Sequence, residues 1–259
     1  MSTAVLKNSV RSWFFVAFIG QTIFGLYIAV LYGGAAMRGN FEAWNRGGTR
    51  HVWISGDYAG NATFGIHMLS ALILTFGGIV QLIPQIRERA PKFHRWTGRL
   101  YILTAFTASL AGLYLMWVRG TVGDLSQHIA ISINAILIML FAAIALRAAM
   151  QRQFAVHRRW ALRLFLAANG VWFFRVGLMF WFAVMRGPAG FNPKTFEGPF
   201  LTFLAFAQYL LPLGMLELYL RARDGFGRIA VATGIGALTV ATAIGVVMAS
   251  MFMWLPHIR

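Results

Sequence analysis

Seven apolar runs of about twenty residues or more occupy positions 13–32, 61–84, 96–117, 127–150, 160–185, 200–220 and 229–254. An α-helix of ~20 apolar residues crosses the ~30 Å hydrocarbon layer of a bilayer. Only helices and closed barrels satisfy every backbone N–H and C=O there. The sequence therefore predicts an all-α integral membrane fold of about seven transmembrane helices, forming a single membrane domain over 1–259. Trp13, Trp96, Trp117, Trp160 and Trp254 stand at the ends of these runs, the headgroup level that such side chains favour. The first run follows Lys7 and Arg11 as a signal peptide would, but its length exceeds a signal's apolar stretch and suits a span.

The composition agrees. The chain is 59% apolar and only 12% charged, where a soluble domain carries about a quarter charged residues. Its 23 Lys+Arg against 7 Asp+Glu are interspersed between apolar runs. They do not form the single basic face that nucleic acid requires, so no nucleic-acid partner is expected. Fifteen of these cations fall on the N-terminus and the loops on its side: Lys7 and Arg11; Arg87, Arg89, Lys92, Arg95 and Arg99; Arg147, Arg152, Arg158, Arg159 and Arg163; Arg221, Arg223 and Arg228. Arg38, Arg46, Arg50, Arg119, Arg186, Lys194 and Arg259 fall on the other side, and Arg175 lies within a span. The positive-inside rule then predicts a bacterial cytoplasmic (inner) membrane protein with its N-terminus cytoplasmic and its C-terminus outside.

No cysteine is present, which excludes disulfides, iron–sulfur clusters and covalently attached c-type haem. The loop 33–60 is long enough for a small lid and contains Trp44, His51 and Trp53. Asn61-Ala62-Thr63 matches a glycosylation sequon at a membrane edge. The loop 187–199, with Pro188, Pro193 and Pro199, reads as an irregular connector.

Four of the six histidines sit in a repeat. His67 opens an apolar run that leads to a basic turn and then to His94-Arg95-Trp96; His128 opens a second that leads to His157-Arg158-Arg159-Trp160. The offsets are 61 residues between His67 and His128 and 63 between His94 and His157. Two like hairpins, 61–117 and 127–185, predict a four-helix core built from a repeated hairpin. The seven-span topology brings His67 and His128 toward the outer face, on the second and fourth helices. His94 and His157 fall at the inner starts of the third and fifth. Counted at 100° per residue, Ser70, Gly78, Gln81 and Gln85 follow His67, and Gly98, Tyr101, Ala105, Ala108 and Gly112 follow His94. Ser132, Ala135 and Ala142 follow His128; Ala161, Ala168 and Arg175 follow His157.

Histidines paired across helices, with small residues beside them, suit bis-histidine haem b, one or two per chain. Haem iron is the metal expected of His67, His128, His94 and His157, with Arg99, Arg163 and Arg175 as cationic partners for propionates. Small-residue stripes also serve ordinary membrane-helix packing, and His-Arg at a span start also serves as an anchor to anionic headgroups. Glu217, near the inner end of the sixth helix, needs a cationic partner, which Arg163 or Arg99 would supply. Arg175 lies deeper with no carboxylate at its level; an anion, a lipid phosphate or the amides Gln81, Asn134, Asn169 and Gln208 are its candidate partners.

The elements His67-x-x-x-Ala71, Gln81-x-x-Pro84, HRWTGRLY (94–101), HRRWALR (157–163) and Glu217 resemble a bacterial family of multi-pass membrane proteins, the domain of unknown function 2306 (DUF2306). The resemblance covers about 60–223 and implies an integral membrane protein without supplying a reaction. By histidine pattern alone the chain looks like two-haem cytochrome b-type membrane proteins. Three functions follow as expectations. One is a b-type electron carrier, which as an enzyme would be a transmembrane oxidoreductase, with quinone or a redox protein as partner. Another is a non-redox transporter or lipid- or small-molecule-binding protein using Arg175 and Glu217. The third is a structural accessory subunit of a membrane complex. No H-x-x-H or H-x-x-x-H cluster suggests a desaturase-type di-metal site. Membrane lipids are expected partners in every case.

Overall fold

In the computed structural model, which describes residues 2–47 and 52–258, the chain is all-helical. An isolated bridge between Asn192 and Glu197 is the one β-type pairing among the described residues. Six helices are long and apolar enough to cross a membrane, and a bent pair makes a seventh span. Arg50, His51 and Arg259 lie outside the described residues.

The first span is the helix Ser2–Ile28, continued through a π-helical turn, Ala29–Gly33, into Gly34–Met37. The second is Tyr58–Leu82, capped by Asp57, whose carboxylate accepts from the Gly60 N–H at 2.8 Å. Ile83 is extended, as a residue before proline must be, and Pro84 then opens the short helix Pro84–Arg89. The third span, Pro91–Tyr114, ends in a π-helical turn, Leu115–Gly120. The fourth, Leu125–Met150, is capped by Asp124, which accepts from the Gln127 N–H at 2.9 Å. The sixth is Pro199–Arg223, and the seventh is Arg228–Ala249 with a π-helical turn, Ser250–Trp254.

The fifth span departs from the continuous helix that the sequence predicts. It consists of Phe154–Ala168 and Gly170–Met185, bent by 52° at Asn169. No proline is involved. Asn169 leaves the helical register with φ −89° and ψ 10°, and its side chain donates back to the Phe165 carbonyl at 2.8 Å. Asn134 of the fourth span donates to the Ala167 carbonyl at 3.1 Å, satisfying an acceptor at the break. A side chain inserted at a helix ladder is a recognised cause of a kink.

The bend divides the molecule's packing. The half before it packs on the fourth span, and with the second and third encloses a core of Leu74, Tyr101, Ala105, Phe141, Leu164 and Ala167. The half after it packs on the sixth and seventh spans, and the seventh packs on the first. The second core there contains Phe24, Tyr27, Trp172, Val176, Val246 and Trp254. The hairpin group expected over 61–185 thus closes at the bend, and the end of that range joins the first and seventh spans instead. The face count that aligned Arg175 with His157 assumed a straight helix and fails at the same point.

On the side away from the arginine-rich turns, the first loop folds down. The 3₁₀ segment Phe41–Gly47 buries Trp44 against Ala35, Phe64 and Leu115, and the Trp44 indole donates to the Tyr32 carbonyl at 3.0 Å. Asn61 is buried, hydrogen-bonded to Ile54 and accepting from Arg119, so the sequon asparagine is a structural residue.

Candidate functional site

The repeat is visible in backbone register. His94 is the fourth residue of Pro91–Tyr114, His157 the fourth of Phe154–Ala168 and His128 the fourth of Leu125–Met150. His67 is the tenth residue of Tyr58–Leu82, six residues further in and so about 9 Å further along its helix.

The rings are held differently. His67 donates from Nδ1 to the Ala108 carbonyl of the third span at 3.0 Å. A carbonyl only accepts, so the proton belongs on Nδ1 and Nε2 keeps its lone pair. Gly112 makes room for this ring: a Cβ there would stand 3.2 Å from its Cε1. His157 is tethered in the same sense, Nδ1 to the Ala145 carbonyl at 2.9 Å. His128 turns its Nε2 back toward Thr121 Oγ1 at 3.3 Å and the Val122 carbonyl at 3.4 Å, with Trp117 edge-on at 5.8 Å. His67 and His128 therefore address different neighbours. At the arginine-rich end, the Nδ1 of His94 is buried without a hydrogen bond. Among the described residues no three His, Asp or Glu side chains gather as a metal site.

The HRW-x-GR-x-Y element is a helix lock. Gln81 of the second span donates to Thr97 Oγ1 at 2.6 Å and to the His94 carbonyl at 3.4 Å. Gly98 admits it, since a Cβ there would lie 3.3 Å from Gln81 Oε1. Tyr101 is buried with an unpaired hydroxyl and lines a second cavity of about 300 Å³ between the second and third spans.

Of the expected charged groups, Arg163 holds Glu217 through Nη2 at 2.6 Å and Nε at 2.8 Å, and its guanidinium lies 4.6 Å from the Trp160 ring centre. Glu217 is thereby the partner of Arg163 rather than an open carboxylate. Arg99 lies over its own neighbour Trp96 at 4.9 Å. Asn134, Asn169 and Gln208 converge on the bend: a Cβ on Gly170 would stand 2.7 Å from Asn134 Nδ2 and 3.4 Å from Gln208 Oε1. These amides and Gln81 are committed away from Arg175.

Arg175 has no carboxylate partner among the described residues. It lies 5.4 Å from the Phe24 ring centre and makes one 3.4 Å bond to the Val171 carbonyl. It stands ten residues from Met185, about 15 Å into the span. A cation at that depth costs about 2.5–3.5 kcal/mol, and one ring contact offsets about 0.5–2 kcal/mol of it.

The largest described cavity, about 550 Å³, lies between the first, fifth, sixth and seventh spans. It extends from Val10, Leu162 and Tyr219 at the arginine-rich end to Trp181 and Phe200 at the other. Its wall is aliphatic and aromatic, with Gln208 and Thr242 as polar exceptions; no described charged side chain or histidine lines it. Both halves of the bent fifth span line it, Leu162 and Phe165 before the bend and Phe173 and Phe180 after it. Sequence reasoning missed this cavity, and the signal available was Asn169-Gly170, a turn dipeptide inside an apolar run.

These features define a multi-pass, all-helical membrane protein with polar groups clustered at a bent span. Residues 64–211 match the family of predicted membrane proteins DUF2306, more than half of the 259 residues, and the chain belongs to that family. No curated protein and no solved structure matches it.

Proposed function

We propose that this protein binds a chain-shaped apolar molecule, a lipid tail or the isoprenoid tail of a quinone, taken laterally from the bilayer. The cavity carries the reading. Its volume of about 550 Å³ lies within the ~300–1,000 Å³ usual for ligand pockets. From Phe200 to Tyr219 is nineteen residues of the sixth span, about 28 Å of helix, comparable to the hydrocarbon thickness. The test is mass spectrometry of apolar molecules retained by the detergent-purified protein, with Ala207→Phe and Ala241→Phe filling the cavity. Retention by the wild type and loss in both folded variants is expected; equal retention in all three sinks the reading. The charge distribution supports a cytoplasmic N-terminus in a bacterial inner membrane, tested by reporter fusions at each end.

A second reading is favoured by one observation, the unpaired buried Nδ1 of His94, a histidine at the same helical position as His157. This pair fits a single haem b at the arginine-rich end better than His67 and His128 fit one at the other end. Bound haem would supply one-electron transfer, with Arg99 as a nearby cation; Arg163 is already engaged by Glu217. A reduced-minus-oxidised spectrum with a pyridine haemochrome assay decides it. A colourless protein produced with ample haem excludes this reading and leaves the cavity reading untouched.

A further inference from the structure

The fifth span's second half carries two different faces. Phe173, Val176, Gly177 and Phe180 line the apolar cavity; Arg175 lies on the opposite side of the helix by its 100° step, and Trp172 on the flank between. Arg175 there sits over Phe24 of the first span. The guanidinium therefore lies where the first and fifth spans meet, apart from the cavity.

The surroundings are unusual for a membrane interior. Gln21, 1% exposed and one turn from Phe24, has neither amide atom hydrogen-bonded. Trp172, 1% exposed and one turn from Arg175, has a free indole N–H, as does Trp254, which packs against Phe24 at 5.4 Å. Buried polar groups without partners are rare and call for an occupant. These groups are predominantly donors, and the one cation beside them has no carboxylate. Two flanking segments are π-helical: Ala29–Gly33, which carries Tyr32, and Ser250–Trp254. Such turns occur disproportionately at functional sites.

We propose that Arg175 and Gln21 form a binding site for a single oxyanion group, phosphate or carboxylate, in the half of the protein away from the arginine-rich turns. Arg175 supplies the charge and the planar donor fork that suits such oxygens; the Gln21 amide, buried and without a partner, donates to a remaining one. A free anion and a lipid headgroup present the same chemistry, and the experiment separates them.

The test uses the full chain purified in detergent and followed by tryptophan fluorescence during heating. Inorganic phosphate and acetate are titrated in one arm. In the other, the protein is placed in nanodiscs of phosphatidylglycerol or of phosphatidylcholine. Stabilisation by the free anions identifies a soluble ligand, and stabilisation by phosphatidylglycerol alone identifies a headgroup; either supports the site. Arg175→Gln is expected to weaken the response by about tenfold, the loss of one charge-assisted hydrogen bond. Arg186→Gln, at the end of the same helix, should leave it unchanged. If Arg175→Gln does not fold, Gln21→Leu carries the test: it removes a buried unpaired amide and should fold while weakening the response. No response to any of the four additions overturns the proposal, as does a wild-type response in both Arg175→Gln and Gln21→Leu. Ala207→Phe should keep the anion response, which separates a failure here from a failure of the cavity reading.

Discussion

Gly245 is where the seventh span meets the second half of the fifth most closely. A Cβ built on it collides with the Val176 carbonyl oxygen and lies 2.7 Å from Val176 Cγ1 and 3.0 Å from the carbonyl carbon. A side-chain atom in that position could rotate away, but a backbone carbonyl cannot. Gly245→Ala must therefore push the two helices apart, and overpacking of this kind costs about 1–3 kcal/mol. Gly236 lies on the same helix with nothing within 4 Å of its Cβ position. Both substitutions gain the ~0.8–1 kcal/mol by which alanine exceeds glycine in a helix, so this contribution cancels between them. The remaining difference is the collision itself. At roughly 2–4 °C per kcal/mol for a chain of this size, Gly245→Ala should melt roughly 2–12 °C below Gly236→Ala. Nine tryptophans provide the fluorescence readout, and the absence of cysteine rules out thiol-reactive dyes. A Gly245→Ala protein melting at or above Gly236→Ala would show that the helices do not approach as described.

Three further outcomes are expected. Asp124 caps the fourth span, and its carboxyl is held below the ordinary carboxylate range by the Gln127 N–H and then by the Ser126 hydroxyl. Its contribution should be complete above the ordinary value of about 3.9 and fade as pH falls through the lowered one; Asp124→Asn should flatten that part of the melting-temperature profile, and Asp124→Ala should cost about 0.5–2 kcal/mol. For Arg163 and Glu217, with side chains 19% and 44% exposed, a double-alanine cycle should give a coupling of about 1–2 kcal/mol, between the values of exposed and buried pairs; coupling near zero would refute a structural role for the pair. Gly170→Ala should destabilise by about 1–3 kcal/mol through Asn134 Nδ2, and most of that loss should vanish in an Asn134→Ala background, because the colliding atom is then gone.

What could be read from the sequence was what local chemistry determines. The apolar lengths located the spans, while their true starts lie a few residues earlier, at the Asp57 and Asp124 caps and at Pro91 and Pro199. The repeat correctly placed His94 and His157 at matching positions of two helices. It could not say which carbonyl each Nδ1 would meet, because that depends on how far one helix slides along another. Glu217 needed a cation, and Arg163 provided it within the reach anticipated.

Arg175 shows the boundary most clearly. With seven Asp and Glu in the chain, its lack of a carboxylate at the same depth could be read directly from the residues. Its neighbours could not, since the helical face assigned to it came from a straight fifth span. A single Asn-Gly step, supported by one amide from the fourth span, bends the helix axis by 52°. Beyond the bend Arg175 meets Phe24 of the first span, and the helix's other side lines the apolar cavity. Both proposed sites therefore depend on the bend. A substitution that straightens it should weaken apolar-ligand retention and the anion response together, whereas Ala207→Phe and Gln21→Leu should each affect only one.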